Sequence, residues 1–121
     1  MTELTADFFQ QVRLISQINN ATEQLQLYRA ELARILGLHC DDVSDNEQLE
    51  ILIENSQPIR HQAERFVLMY RLIEEYCTEQ QTNPANWFRQ SRSSLGTSAF
   101  YAVIDQHRLE DVIMLLKSEL N

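Results

Sequence analysis

NPANWFRQSRSSLGTSAFYAVIDQHRLEDVIMLLKSEL, residues Asn83 to Leu120, holds the single Trp of the chain, one of its two Gly residues and a close succession of short apolar-periodic segments. Asn83 before Pro84 signals a helix start, because proline lacks the N–H that a first helical turn leaves unbonded. The spacing predicts a short helix from Pro84 to about Gln90, with Trp87 and Phe88 on its first turn. Ser91 to Gly96 reads as a polar turn whose one apolar residue is Leu95. Gly96 can take positive φ there, before a helix capped by Thr97 or Ser98. Phe100, Val103 and Ile104, then Leu109, Val112, Ile113, Leu116 and Leu120, give two more core faces at helical spacing.

Upstream of this stretch, Pro58 opens the longest predicted helix, roughly residues 58–80. Ile59, Ala63, Phe66, Val67, Tyr70, Ile73 and Cys77 form its buried stripe, and Leu68, Met69 and Leu72 form a second apolar flank. Gln80, Gln81 and Thr82 make a short hinge. Nearer the start, Leu4, Phe8, Val12, Ile15 and Ile18, with Phe9 beside them, predict an amphipathic helix over 6–18 that Asn19-Asn20 ends. Asn20 with Glu23 has capping-box spacing and begins a helix that keeps phase to Gly37, a C-cap glycine. Ser44 with Glu47 is a second such pair, opening a helix that ends near Asn55. Two Gly and two Pro leave few places for sheet-type turns, so the chain reads as all-α. The expected architecture is a compact multi-helix domain: an N-terminal part over 1–80, with the long central helix, and a C-terminal three-helix unit over 83–121. The segment 32–55 has the outline of a helix-turn-helix.

The C-terminal unit resembles the toxin-binding domain of antitoxins of the MbcA/ParS/Xre type. That pattern has a Trp on a short helix, a polar loop, Leu-Gly, a helix, a short turn and a final helix with a Val near its start. Trp87, Leu95, Gly96 and Val112 match it without a gap. Thr97, Ala99 and Phe100 stand where a second Gly and a Thr-Pro pair are usual, and the sequence ends at Asn121 without the short tail that in some members reaches into the toxin's active site. The resemblance implies a toxin-antitoxin role: direct binding of a protein toxin encoded nearby, in many relatives a RES-domain NAD-consuming protein. It also fits the helix-turn-helix outline at 32–55.

Formal net charge is −8, and residues 1–56 carry ten acids against Arg13, Arg29 and Arg34. Asp41, Asp42, Asp45, Glu47, Glu50 and Glu54 fall on the would-be recognition helix and its lead-in, with no Lys or Arg between His39 and Pro58. A major-groove reader needs phosphate neutralisation and donors facing the bases, so DNA binding is expected to be weak or confined to a complex with the toxin.

No apolar run reaches the roughly 18 residues of a membrane span and no signal-peptide pattern is present, so a cytoplasmic protein is expected. Cys40 and Cys77 form no CxxC pair, and His39, His61 and His107 each stand alone. With two glycines, neither a Walker loop nor a dinucleotide loop can be built, and the serines between Ser91 and Ser98 lack a nucleophile elbow or a paired base. The expectation is a non-catalytic protein without metal or cofactor.

What remains is a partner surface. Arg89, Arg92 and Arg108, with Tyr101, surround the Trp helix and the following turn, and only Asp105 opposes these arginines between Asn83 and Arg108. Arg and aromatic residues are enriched at contact centres. As surface groups, Arg89 and Arg92 should be replaceable by Ala without loss of stability. Phe8, Phe9, Val12 and Ile15, with the second flank of the long helix, point to a homodimer. The alternative is a stand-alone helical regulator or adaptor that does not bind DNA strongly. On either reading the isolated protein should give no sub-micromolar, salt-dependent gel shift with its own promoter at physiological salt, and such a shift would contradict the charge argument.

Overall fold

The computed structural model describes residues 6–121, with side chains from residue 13 onward, so the predicted roles of Leu4, Phe8, Phe9 and Val12 lie outside the described residues. Among those described, the chain is all-α. Seven helices run α1 Ala6–Gln24, α2 Arg29–Leu36, α3 Asn46–Asn55, α4 Gln57–Gln80, α5 Pro84–Arg89, α6 Ala99–Ile104 and α7 Leu109–Leu120, with a 3₁₀ turn at Cys40–Val43. The one sheet is a small antiparallel hairpin, β1 Ser91–Arg92 with β2 Thr97–Ser98, pairing Ser91 with Ser98 and Arg92 with Thr97.

α4 is the spine. Ser56 caps it by accepting from the Ile59 N–H (3.4 Å), Pro58 sits in its first turn, and Gln81 closes it in the left-handed region. At 24 residues it is roughly 36 Å long, and α1, α2, α3, α5 and α7 all pack on it. The predicted stripe Ala63, Phe66, Val67, Tyr70, Ile73 and Cys77 is buried, and so is Met69. Met69 therefore belongs to the chain's own core and not to an exposed second flank, because the helices packed on α4 cover more than one stripe of it. Leu68 and Leu72 are half-buried against the same core, and Ile15 is buried. One contiguous set of buried side chains runs from Leu14 to Leu116, across the helix break at Gln81.

The N-terminal boundaries differ from the sequence reading. α1 does not stop at Asn19-Asn20 but continues another turn, because Ile18, Ala21 and Leu25 keep one buried face in phase. Asn19 does not cap a helix: its Oδ1 accepts from Arg29 Nη1 (2.9 Å) and its Nδ2 donates to Asn46 Oδ1 (3.1 Å). The helix closes at Gln26, φ 56°, where the Leu27 N–H reaches back to the Thr22 carbonyl at 2.9 Å. The Asn20–Glu23 box does not form. Instead the Tyr28 N–H donates to Glu31 Oε1 (2.8 Å) at the start of α2. Gly37 ends α2 as expected, at φ 75° with the Leu38 N–H on the Ala33 carbonyl (2.8 Å). One position is also shifted at α3, where Asp45 in place of Ser44 is the cap and accepts from the Gln48 N–H (2.7 Å).

Arg29 joins three elements of this half. Its Nε donates to the Val43 carbonyl (2.9 Å), Nη1 to Asn19, and Nη2 to Asn46 Oδ1 (3.3 Å). Arg65 on α4 and Glu110 on α7 form a two-pronged ion pair, with Arg65 Nε 2.8 Å from Glu110 Oε2. That pairing holds the Glu110 carboxyl below its usual range.

Gln26 pays a conformational penalty that glycine would not, since a side chain in the left-handed region is disfavoured by roughly 1–2 kcal/mol. Gln26 is exposed. Gln26→Gly should therefore raise the unfolding free energy, by about 0.5–1 kcal/mol after the extra entropy of an unfolded glycine is deducted. A urea melt checks this, and a lower midpoint would contradict it.

Candidate functional site

The C-terminal unit is assembled by local signals. Asn83 Oδ1 accepts from the N–H groups of Ala85 (2.8 Å) and Asn86 (3.3 Å), which sets the start of α5. α5 then turns Trp87 and Phe88 inward. Trp87 is 3 % exposed and meets Tyr76 of α4 edge-on at 6.0 Å; Phe88 meets Phe100 of α6 in the same way at 5.9 Å. The polar turn lies at the tip of the small hairpin, where Gly96 takes φ 74° and its N–H donates to the Arg92 carbonyl at 2.9 Å. Leu95 points into the core. Ser98, of the two proposed caps, accepts from the Tyr101 N–H (3.1 Å). Trp87, Leu95 and Val112 are buried structural positions, and Gly96 supplies the left-handed turn.

Around this unit the four residues read as a partner surface sit in three different situations. Arg89 is a clamp within the chain: its Nη1 donates to the Leu25 carbonyl (2.6 Å) and Nη2 to the Gln26 carbonyl (2.8 Å), at the C-terminal end of α1. Its guanidinium also lies 4.9 Å from the centre of the Phe100 ring. Helix ends leave carbonyls without internal partners, and a cation there meets the negative end of the helix dipole. Arg108 is likewise engaged. Nη1 donates to the Leu95 carbonyl (2.8 Å) and to Gln106 Oε1 (2.9 Å), and Nε pairs with Asp111 (2.8 Å), which fixes the start of α7 against the turn.

Arg92 and Tyr101 are in the remaining situations. Arg92 lies over the Trp87 ring with its guanidinium carbon 4.1 Å from the centroid, and its guanidinium makes no hydrogen bond to a described residue. Both its Nε and the Trp87 indole Nε1 are buried without an acceptor. Asp105, the single acid between Asn83 and Arg108, is taken by Arg34 of α2 at 2.9 Å. Tyr101 is 47 % exposed on α6.

A cleft of about 390 Å³ lies between α1 and α4, lined by Ser16, Gln17, Asn20, Val67, Tyr70, Arg71 and Glu74. Burial, and then the hydrogen bond from its hydroxyl to Glu74 Oε2 (3.0 Å), push the Tyr70 phenol up to about 12. A phenol so tightly protonated anchors α4 but is poorly matched to acid–base chemistry at neutral pH. Among the described residues, no group of three His, Cys, Asp or Glu side chains is placed to hold a metal ion. No helix among them is long and apolar enough to cross a membrane. Asp41, Asp45, Glu47 and Glu54 are exposed on and before α3, so the second helix of the 32–55 segment presents carboxylates to solvent.

Sequence reasoning missed the roles of Arg29, Arg34 and Arg65, and the clamp made by Arg89. A charged residue beside aromatics reads as surface, and its carbonyl acceptors 63 and 64 residues away leave no local mark. No protein-family model matches the chain, and no curated protein matches it significantly.

The clamp corrects the expectation that Arg89 is dispensable for stability. Arg89→Ala should cost about 1.5–3 kcal/mol, the usual worth of hydrogen bonds to a charged group. Arg89→Lys should recover only part, since one ammonium cannot reproduce a planar fork across two carbonyls. Urea denaturation of both variants tests this; an unchanged midpoint for Arg89→Ala would remove the clamp from the account.

Proposed function

We propose that this chain is a non-catalytic, protein-binding antitoxin that holds a toxin encoded beside it through the α5–hairpin–α6–α7 unit. The observation that carries the reading is a division of labour within that unit. Trp87, Leu95, Gly96 and Val112, the positions shared with MbcA/ParS/Xre antitoxins, serve the scaffold. Next to them, the Arg92 guanidinium and the Tyr101 hydroxyl have no polar partner among the described residues. A rigid scaffold that presents an unpaired arginine and an exposed tyrosine suits recognition of another protein, since both residue types dominate the energetics of contact centres. The carboxylate-bearing α3 argues against independent DNA binding, and a toxin partner that supplies positive charge would reconcile the helix-turn-helix outline with an operator. A RES-domain NAD-consuming toxin is the partner class that the resemblance suggests.

The test is co-expression with the product of the neighbouring reading frame, followed by affinity purification. The two proteins should co-purify, and the frame expressed alone should arrest growth. Tyr101→Ala should weaken the complex by about 2 kcal/mol or more, on the order of 30-fold, with an unchanged melt because the ring is half-exposed. Failure of the wild-type pair to co-purify would leave the second reading, a stand-alone regulator or adaptor, as the better account.

A further inference from the structure

Of the three arginines around the Trp helix, only Arg92 has a guanidinium with no acceptor among the described residues, and its surroundings account for this. Arg89 is satisfied by two carbonyls of the α1 terminus, and Arg108 by Leu95, Gln106 and Asp111. Asp105 is the only acid between Asn83 and Arg108, and it is paired with Arg34. Among the described residues, no carboxylate forms an ion pair with Arg92.

The side chain is nonetheless held in place. The Trp87 ring supports the guanidinium at 4.1 Å, and β1 fixes its backbone by pairing with Thr97. Such a contact is attractive through the ring's quadrupole, and it holds the five-donor fork in place before any ligand arrives. Because Nε is buried, the edge left for a ligand is the terminal one formed by Nη1 and Nη2. A planar pair of N–H groups spaced in this way matches the two oxygens of a carboxylate.

We propose that the Trp87–Arg92 stack is a preformed carboxylate-binding site, and that its occupant is an Asp or Glu side chain of the partner protein, taken end-on by Nη1 and Nη2 of Arg92. The site rests on the reading of this unit as a partner surface and names the contact that unit makes. The preorganised fork means that little side-chain entropy is lost on binding, which is what makes one charge pair matter in an interface. The chain's net charge of −8 opposes the approach of an acidic partner at long range, so recognition depends on this short-range geometry and not on steering.

Trp87 is the only tryptophan, so its emission reports on the site directly. The full-length protein is titrated at low salt with a tetraglutamate peptide, with tetraglutamine and sodium chloride as controls, while Trp fluorescence and the indole N–H resonance are followed. Tetraglutamate should give a saturable change that tetraglutamine and chloride do not give, and Arg92→Gln should abolish it while far-ultraviolet circular dichroism stays unchanged. Arg92→Lys should weaken the response at least tenfold, because an ammonium keeps the charge but loses the fork. No saturable response, an equal response to chloride, or an undiminished response in a folded Arg92→Gln protein would each overturn the site. The same variant is then tested against the neighbouring frame's product. If that protein binds wild type and Arg92→Gln equally, the carboxylate contact is wrong although the antitoxin reading stands. If it binds neither while tetraglutamate still binds wild type, the antitoxin reading fails and the site stands.

Discussion

Desolvation of a single helix face holds this protein together. α4 carries Ala63, Phe66, Val67, Met69, Tyr70, Ile73 and Cys77 into the interior, and five other helices find their positions by covering it. Each fully buried aliphatic or aromatic side chain of that kind contributes about 1.5–3 kcal/mol. The short helices need this support. α5 and α6 have six residues each, too few for independent stability in water, so they exist because Trp87, Phe88, Ala102 and Val103 are held against the larger core. The hairpin between them is smaller still and depends on both.

Burial sets which faces meet, while the relative placement of the elements is fixed largely by arginine. The chain has nine arginines and a single lysine, and five of the arginines tie distant elements together: Arg29, Arg34, Arg65, Arg89 and Arg108. In an acidic chain with two glycines, helix ends and turns leave carbonyls and carboxylates in want of donors. A planar fork can serve two acceptors on different elements at once, which an ammonium does less well. Arg92 stands outside that network, resting on an aromatic face in place of an oxygen.

Signals confined to three or four neighbouring residues were legible in the sequence. Pro58, Gly37, Asn83 and Ser98 each stand where the local rules place them, and the buried stripe of α4 follows from its spacing. What escaped was decided at a distance. Asn19 reads as a helix stop, but its amide is satisfied by Arg29 and Asn46, and α1 runs on beneath it. The α1–α2 turn is formed at Gln26, a residue that carries no turn signature, because the Arg89 clamp and the burial of Leu25 hold it there. Met69 looks like spare apolar surface until the helices packed around α4 are seen to bury it. For the candidate site, the aromatic and arginine content was readable, but which arginine remains unpaired depends on carbonyls at the end of α1 and in the hairpin and on Arg34 of α2, which takes Asp105.

The Arg89 clamp also sets an order of events during synthesis. The carbonyls of Leu25 and Gln26 lie 64 and 63 residues upstream of the side chain that satisfies them. A nascent chain emerges at about 5–20 residues per second, so the end of α1 waits several seconds for its partner, and the contact must then close a long loop. Until Arg89 has left the ribosome, the junction between α1 and α2 lacks this clamp and is held by its own turn and the Arg29–Asn19 bond. A truncated or slowly translated chain therefore exposes this junction, near the opposite end of the sequence from the missing residues, as a first point of attack for a protease.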